Sequence, residues 1–596
     1  MRHTVRIIAP NKNITCTADN GTNMMQLITQ QGIVINAPCN GCGTCGKCKV
    51  AVSPAPPLTA AQTKFITPDE AKCGVRLACM CSIDSNCTIT ISADSAAAIL
   101  SKGINREYAL SPGIDKVFVK LEKPTISDQR SNDIRLLQTL PFEDTVSLDL
   151  CTINQLEQVL RDTYDITAVI RQNRVIAIEP GNTASHCYGI SADIGTTTVV
   201  LYLYNLVSGE CTDVISALND QRSFGADVIS RIDYAVSNDE SGLSTLQCRI
   251  AEQITYMAVQ MLDRNNIEHD YLYNMVIAGN TTMMHLLCGV SPKGIASSPF
   301  TPAFTSQLDI PGCDIGIHIS NNLNITVLPC ISGYIGSDTV AAMVACSADK
   351  PSKALIVDIG TNGEIALIDG DRIISCSTAA GPAFEGAHIR CGVGGVAGAI
   401  DSIKWENGDL VYTTIGNLPP IGICGSAIVD CMAMLLDLEV VEETGRMIDA
   451  DETDNPNISH RIIEIDGQNA FVICGDIVLT SKDVREIQLA KAAIAAGMHT
   501  LANHIGVRLE SLDTLYLAGG FGSYLRRESA VRIGLLPQEC ADKIATCGNA
   551  AGSGASAILC CNTLYNAVSD ICGRCEYIEL STSAAFQDWY MECMCF

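Results

Sequence analysis

Apolar residues in the first part of the chain occur in short runs that predict strands and one helix. Within residues 1–93, VRIIA and ITCTA have the length and pattern of paired strands, and NMMQLITQQG predicts a short helix ending at Gly32. A cysteine-rich loop follows, after which KCKVAV and CTITIS predict further strands. The pattern therefore predicts one small α+β unit over residues 1–93.

The residues that follow have a different pattern of apolar and polar positions. Residues 94–114, ADSAAAILSKGINREYALSPG, predict a linker. Residues 115–187 then predict strand, helix, strand, helix and strand over VFVKLEK, SNDIRLLQTL, VSLDL, INQLEQVLRDT and ITAVIRQNRVIAI. No polar residues cluster there, so we interpret this small α/β middle domain as a structural spacer.

A repeat dominates the remainder of the chain. One apolar run enters DIGTTT at Asp193 and continues as VVLYLYN, and a second run enters DIGTNGE at Asp358 and continues as IALI. Each copy is followed by a second related segment, which is MVIAGNTTMMHLL after the first copy and LYLAGGFGSYL after the second. We therefore predict a duplicated α/β region over residues 188–596, with halves at 188–350 and 351–596.

Composition and charge exclude several classes of protein. A chain of 596 residues with 47% hydrophobic and 17% charged residues is a globular protein of several domains. No apolar run has transmembrane length, and MRHTVRIIAP does not have the pattern of a signal peptide. The formal net charge of −26 argues against nucleic acid and suits a neutral or basic protein partner. Thirty cysteines in such a chain indicate a reduced, anaerobic cytoplasm, where most thiols are small buried hydrophobes.

The loop 37-APCNGCGTCGKCKV-50 places four cysteines at regular spacing and suits three kinds of metal site. A zinc ribbon needs two separated CxxC pairs, and Cys39/Cys42 and Cys45/Cys48 are too close together for that. A [4Fe–4S] run needs a wider last gap followed by proline. A [2Fe–2S] site uses Cys39, Cys45 and Cys48 with a distant fourth ligand, which we predict to be Cys79 in RLACMC. We favour the [2Fe–2S] cluster over zinc, with Cys42 as a bystander.

The order of these units is similar to that of the reductive activators of corrinoid proteins. The similarity rests on CNGCGTCGKC with RLAC, SADIGTTT, SFGADVISRI, VDIGTNGEIAL, AAGPAFEGAHIRCG, LAGGFGSYL and YIELSTSAAF, and it covers essentially the whole chain in order. It implies a multidomain α/β and α+β protein: a β-grasp ferredoxin-like domain, a linker, a small α/β domain and an actin-like ATPase region. Cys42 departs from the family's cluster loop.

The two DIGT segments resemble the phosphate loops of the actin, heat-shock chaperone and sugar-kinase superfamily. That resemblance implies that Asp193 and Asp358 position Mg²⁺ or water while the two loops hold the phosphates of ATP. The glycine run of AGGFG is expected to lie against adenosine. The residues assigned to nucleotide binding are Gly195, Thr196, Thr197, Gly360, Thr361, Asn362, Glu364, Gly519, Gly520 and Gly522. The alternative is a duplicated scaffold that has lost nucleotide binding.

The resemblance implies ATP-dependent, one-electron reduction of inactive Co(II) to Co(I) in a corrinoid protein. The expected partners are that corrinoid protein and an upstream electron donor, with homodimerisation through the C-terminal region and no membrane or nucleic acid. No Asp-x-His-x-x-Gly run occurs in the chain, so any corrinoid is expected to lie in another protein. Two alternatives are a small-molecule kinase with a redox-sensing ferredoxin domain and an activator of a radical or dehydratase system.

Overall fold

A computed structural model describes most of the chain. The described residues are 2–9, 12–31, 48–59, 61–91, 103–104, 106–142, 146–237, 239–360, 362–522 and 524–596. The predicted cluster ligands Cys39 and Cys45, the neighbouring Cys42 and the predicted phosphate contact Thr361 lie outside these residues.

The N-terminal unit is a mixed sheet with a helix packed against it. Its elements are β1 (Arg2–Ala9), β2 (Lys12–Asp19), β3 (Thr22–Asn23), α1 (Met24–Gln30), β4 (Lys49–Ser53), α2 (Pro68–Lys72), β5 (Val75–Leu77), β6 (Ser82–Ile83) and β7 (Cys87–Thr90). The five-stranded sheet has the order β2-β1-β7-β4-β5, and only β1 and β7 are parallel. The alternating residues Val5, Ile7 and Ile89 are fully buried beneath Ile28 of α1. This arrangement confirms the predicted β-grasp, ferredoxin-like fold.

The small α/β domain differs from its sequence pattern in two places. Its elements are β8 (Ile114–Lys120), α3 (Asn132–Thr139), α4 (Leu150–Leu160), β9 (Asp165–Arg171) and β10 (Arg174–Pro180), and its antiparallel sheet has the order β10-β9-β8. The predicted strand VSLDL forms no strand, because Asp149 accepts a hydrogen bond from Thr152 N and starts α4. The long run ITAVIRQNRVIAI is two strands, because Gln172 and Asn173 both adopt positive φ and make a tight turn.

The first half of the duplicated region is built on one six-stranded sheet. Its elements are β11 (Tyr188–Ile194), β12 (Thr198–Asn205), β13 (Cys211–Leu218), α5 (Val228–Ser237), α6 (Asp239–Arg264), β14 (Leu272–Gly279), α7 (Thr281–Leu287), β15 (Leu308–Pro311), β16 (Asn324–Val327) and α8 (Ser337–Ala345). The strand order is β13-β12-β11-β14-β16-β15. An antiparallel hairpin, β11–β12, precedes the parallel neighbour β14.

The second half repeats that plan and adds to it. Its elements are β17 (Ser352–Ile359), β18 (Gly363–Gly370), β19 (Arg372–Thr378), β20 (Ala399–Glu406), β21 (Asp409–Thr414), β22 (Gly422–Ile423), α9 (Gly425–Asp437), α10 (Pro456–Ser459), β23 (Ile462–Ile465), β24 (Gln468–Cys474), β25 (Ile477–Thr480), α11 (Ser481–Ile505), β26 (Thr514–Ala518), α12 (Gly519–Gly522), α13 (Arg527–Arg532), β27 (Ile544–Gly548), α14 (Ala550–Cys560), α15 (Asn562–Arg574), β28 (Cys575–Tyr577) and α16 (Ala584–Glu592). The main sheet has the order β27-β26-β17-β18-β19-β28. Again a hairpin, β17–β18, lies beside a parallel strand, β26.

The two halves meet at a pair of apolar helices. A Cβ on Gly554 of α14 would fall 1.8 Å from the carbonyl oxygen of Ala341 in α8, so the two backbones touch. Both helices lie in one buried cluster with strands of both main sheets. The actin-like duplication predicted from the repeat is therefore confirmed. No helix within the described ranges is both long and apolar enough to cross a membrane.

Candidate functional site: a thiol pair and an interdomain acidic cleft

Two of the predicted cluster ligands lie side by side in the N-terminal unit. Cys48 immediately precedes β4, Cys79 lies in the turn after β5, and their Sγ atoms are 3.3 Å apart. Two hydrogen bonds to backbone carbonyls fix the pair: Ala78 N donates to Cys48 O at 2.9 Å, and the side-chain Nδ2 of Asn23 donates to Cys79 O at 2.9 Å. Two thiolates on one tetrahedral metal, each about 2.3 Å from it, are about 3.8 Å apart. The pair therefore fits two ligands of one metal ion after a small outward shift.

The other thiols near this pair have different surroundings. Cys81 is buried, receives a hydrogen bond from Gln62 Nε2 at 3.6 Å, and has a thiol pKa raised mainly by burial. Cys73 is exposed. Within the run RLACMC, Cys79 is thus the cysteine whose Sγ atom lies next to that of Cys48, and its role as a cluster ligand stays a prediction.

The first DIGT loop joins β11 to β12 and is held by two asparagines. Asn219 Nδ2 donates to Gly195 O at 2.8 Å, and Asn280 Nδ2 donates to Thr196 Oγ1 at 3.0 Å. Gly195 N donates to Thr198 O at 2.8 Å, which closes the turn. Among the described residues, the amides of Thr196 and Thr197 have no acceptor. Two unused N–H groups at a tight turn can bind phosphate oxygens.

The second DIGT loop joins β17 to β18 in the same manner. Gly360 N donates to Asn362 O at 2.9 Å, and the side chain of Asn362 bonds Glu364. Asp358 and Glu364 lie opposite one another in the β17–β18 ladder. Each loop therefore joins the two strands of a hairpin, but Gly195 N bonds the carbonyl three residues on and Gly360 N the carbonyl two residues on.

The glycine run after β26 faces the second loop. Gly519 has φ +84°, and a Cβ on it would lie 2.3 Å from Asp358 Oδ1. Gly520 faces open space, and Gly522 packs on Leu517. The backbone at Gly519 therefore approaches the Asp358 carboxylate closely. Any side chain at position 519 would collide with that carboxylate, so the position requires glycine.

Four buried carboxylates from both halves act on one another electrostatically. Burial, together with neighbouring negative charge, raises the pKa of Asp193 and of Asp358 to about 7. The same causes raise the pKa of Glu364 well above its usual range, and burial raises that of Asp338. Asp193 has a bonded partner from the other half, Asn549, whose Nδ2 donates to Asp193 Oδ2 at 2.8 Å. Carboxylates arranged in this way disfavour ionisation until a cation or hydrogen-bond donor joins them.

Sequence analysis overlooked Asp338 and Arg231. Asp338 lies in the first turn of α8, and the run IGSD before apolar VAAM was a usable helix-start signal. Arg231 in α5 is fully buried, donates from Nε to Gly225 O at 2.9 Å and from Nη2 to Thr196 O, and has a pKa lowered by burial to about 9. A buried guanidinium without a bonded carboxylate was not predictable from the sequence pattern.

The donor set fits Mg²⁺ bound together with phosphates. Among the residues that the structure describes, no group of three or more His, Cys, Asp or Glu side chains forms a ready metal cage. Mg²⁺ is commonly held by one or two carboxylates, waters and substrate phosphates, so such a cage is not required. Asp193 and Asp358 at the ends of β11 and β17 can supply those carboxylates from the two halves.

Comparisons with known proteins give the family. The chain matches the profiles of a 2Fe-2S iron-sulfur cluster binding domain over residues 8–84, the RACo linker region over 103–185, the RACo middle region over 188–351 and the C-terminal domain of RACo, the ASKHA domain, over 352–596. The match to the first profile supports a [2Fe–2S] cluster in the N-terminal unit.

Relatives cover the chain almost from end to end. It is 33% identical over 573 residues to the corrinoid activation enzyme RamQ of Eubacterium limosum, covering 94% of each chain. It is 26% identical over 439 residues to the [Co(II) methylated amine-specific corrinoid protein] reductase of Methanosarcina barkeri, covering 68% of this chain and 76% of that one. A solved structure described as a reductive activator for corrinoid, iron-sulfur protein superposes with a TM-score of 0.73 at 30% identity, covering 99% of this chain and 98% of the other. This chain belongs to the family of reductive activators of corrinoid proteins.

Proposed function

We propose that this chain uses ATP to drive the one-electron reduction of Co(II) to Co(I) in a separate corrinoid protein. The observation that carries the proposal is the Cys48–Cys79 thiol pair in a ferredoxin-like unit, joined in one chain to a cluster of buried carboxylates from both halves. An electron carrier and an ATPase cleft in one protein are the two components that an uphill electron transfer requires.

The cluster site needs four thiolates from two segments. Cys48 and Cys79 supply two of them, and we propose Cys39 and Cys45 as the other two. A bound [2Fe–2S] cluster supplies one electron at a potential near −400 mV in plant-type ferredoxins. The protein's own contribution is to place Cys48 and Cys79 on rigid backbone through Ala78 N and Asn23 Nδ2.

The nucleotide site lies between the halves. The amides of Thr196 and Thr197 bind phosphate oxygens, as do Gly360, Thr361 and Asn362 of the second DIGT segment. Asp193 and Asp358 hold Mg²⁺ or orient water. Glu364 and Asp338 add negative charge around the cation. Gly519, Gly520 and Gly522 leave room for the nucleotide beside Asp358. If both loops bind the same nucleotide, the two halves would move together about the contact between α8 and α14.

Nucleotide binding supplies the free energy that the electron transfer lacks. Co(I) is a stronger reductant than a plant-type cluster, and each ~59 mV of uphill transfer of one electron costs a tenfold change in the equilibrium constant. A closed state that binds the corrinoid protein differently can offset that cost, because coupled binding equilibria share free energy. An upstream electron donor and a homodimer formed through the C-terminal region complete the proposal.

The test is an anaerobic Co(II) reduction assay. The dithionite-reduced full chain is mixed with a Co(II) corrinoid protein of a methyltransferase system, and Co(I) is followed by its visible absorption. We expect Co(I) to accumulate with Mg²⁺ and ATP, and to remain near the ATP-free level with Asp358→Asn. ATP-independent reduction at the same yield would refute the ATPase part, and transfer of phosphate to a metabolite would favour a kinase.

A further inference from the structure

A polar cavity lies away from the nucleotide cleft, where four segments of the chain meet. Its volume is about 230 Å³. The segments are the end of the linker at Gly113, the β9–β10 turn at Arg171, strands β14, β15 and β16, and the start of α15. A cavity of this size has room for several waters or for one small ion with part of its hydration.

Arg171 is the cation of this cavity and is weakly partnered. Its Nη1 donates to Asn274 Oδ1 over 3.5 Å, the outer limit of a hydrogen bond. Asp309 acts on it through space, and within the described part of the chain no carboxylate forms an ion pair with it. Burial lowers the pKa of Arg171, since the guanidinium has lost water without a bonded anion in return.

The acidic group of the cavity, in contrast, already has its partners. Asp309 Oδ1 receives a hydrogen bond from Thr326 Oγ1 at 2.6 Å, and Asp309 Oδ2 receives one from Tyr565 OH at 2.6 Å. These hydroxyls supply hydrogen bonds to both oxygens of the Asp309 carboxylate. Arg171 can therefore form its ion pair with a different anion. The amide groups of Asn274 and Asn562 also line the cavity and can donate hydrogen bonds.

The backbone holds Arg171 in this place. It is the last residue of β9, and the two residues that follow, Gln172 and Asn173, both have positive φ, at 49° and 58°. Two consecutive residues without glycine in the left-handed region fix a tight hairpin. The turn presents Arg171 to the cavity, whereas Arg174 on the other strand forms an ion pair with Asp149.

From these contacts we infer that the cavity is a binding site for a small oxyanion, specifically a phosphate group. A guanidinium can bond two phosphate oxygens at once, and the two asparagine amides can reach others. Bound phosphate would connect the small α/β domain, the β14–β16 edge and α15, next to the point where the linker enters. Its effect is to fix the spacer domain on the ATPase region.

Equilibrium dialysis of the full chain against radiolabelled inorganic phosphate tests this site. A non-hydrolysable ATP analogue with Mg²⁺ is kept saturating, so that the cleft does not take up phosphate. We expect one phosphate per chain for the wild type and for Arg174→Met, which removes the other arginine of the same hairpin. Arg171→Met should weaken phosphate binding by about ten- to a hundred-fold, as expected for losing a charged hydrogen-bond partner.

The possible results test phosphate binding in the Arg171 cavity independently of nucleotide binding between the halves. Phosphate uptake that is equal in Arg171→Met and Arg174→Met, or absent from the wild type, would overturn the inference whether or not the cleft binds nucleotide. If Arg171→Met fails to fold, Arg171→Lys keeps the charge without the planar fork and should bind about ten-fold more weakly than wild type. Competition by glycerol 3-phosphate would identify a phosphomonoester as the occupant, and failure to compete would identify free phosphate; both support the site.

Discussion

Asn549 donates a hydrogen bond from Nδ2 to Asp193 Oδ2 over 2.8 Å and thereby joins the C-terminal half to the first DIGT segment. Its Oδ1 accepts from Gly552 N at 2.7 Å and so caps α14. Its carbonyl oxygen lies 2.4 Å from where a Cβ on Gly103 of the linker would be. One residue therefore contacts the buried carboxylate of Asp193, helix α14 and the segment that leads to the ferredoxin-like unit.

Replacing Asn549 by alanine should shift the pH dependence of ATP hydrolysis. The Asn549 bond favours the ionised form of Asp193, so its loss raises the pKa of Asp193 above about 7. We expect the acidic limb of the ATPase profile to move upward by about one pH unit, the equivalent of one hydrogen bond. Asn455→Ala, which removes a similar cap from the remote α10, serves as the control and should leave the profile unchanged.

The variant Asp358→Asn should be more stable than wild type without nucleotide, yet inactive. The folded-state pKa of Asp358, about 7, is above its unfolded value of 3.8. Its stabilising contribution is therefore complete below pH 3.8 and is lost as the pH rises through 7. At pH 8 we expect asparagine to add about 1–3 kcal/mol to the free energy of unfolding.

Urea unfolding at pH 5 and pH 8, with ATPase activity measured in parallel, checks this prediction. The stability difference between the variant and wild type should narrow at pH 5, because the carboxyl group is then largely protonated in the folded state and its burial costs less than at pH 8, although it is still ionised in the unfolded chain. A variant destabilised equally at both pH values would contradict the assigned charge repulsion in the cleft.

Two glycine substitutions give a matched test of the proposed nucleotide site. In Gly519→Ala the new Cβ would lie 2.3 Å from Asp358 Oδ1 at a φ of +84°, so the backbone or the carboxylate must move. Gly573→Ala on α15, outside the proposed site, places its Cβ in open space. We expect Gly519→Ala to weaken ATP binding at least ten-fold and Gly573→Ala to retain most of it, as measured by isothermal titration. Equal losses would mean that the clash beside Asp358 is not the cause.

The cluster assignment predicts which cysteines are dispensable. Cys48→Ala or Cys79→Ala removes one thiolate of the proposed four, so iron content and the reduced EPR signal should fall to background. Cys73→Ala removes an exposed thiol and Cys81→Ala a buried one, and both should keep about one spin per two irons. A cluster that survives Cys79→Ala but not Cys81→Ala would reassign the fourth ligand.

Arg231 should act as a positioning residue for the first loop. Arg231→Lys keeps a positive charge but cannot bond Gly225 O and Thr196 O with the same fork. We expect the KM for ATP to rise more than kcat falls, since Thr196 and Thr197 amides bind phosphate in the ground state as well. Arg249→Lys, on the partly exposed face of α6, is the control. A fall in kcat alone would contradict the role.

Much of the fold could be predicted from local pattern. The β1–β2 pair, the helix at α1 and the duplicated hairpins at Asp193 and Asp358 follow from periodicity and repetition, which neighbouring residues impose. The errors lie where local chemistry is ambiguous: VSLDL has a strand pattern, but the side chain of Asp149 starts a helix. The run through Gln172 lacks glycine, so its turn gave no signal.

The sequence alone determined the order of the units, the kind of iron-sulfur cluster and the two DIGT loops, because each depends on residue types at short spacing. Tertiary structure alone decided which distant groups meet. It placed Cys79 against Cys48, Asn549 against Asp193 and Gly519 against Asp358. It also buried Asp338 and Arg231 near the loops and left Arg171 facing a cavity. Burial and electrostatic neighbours depend on packing between segments hundreds of residues apart, which no local pattern records.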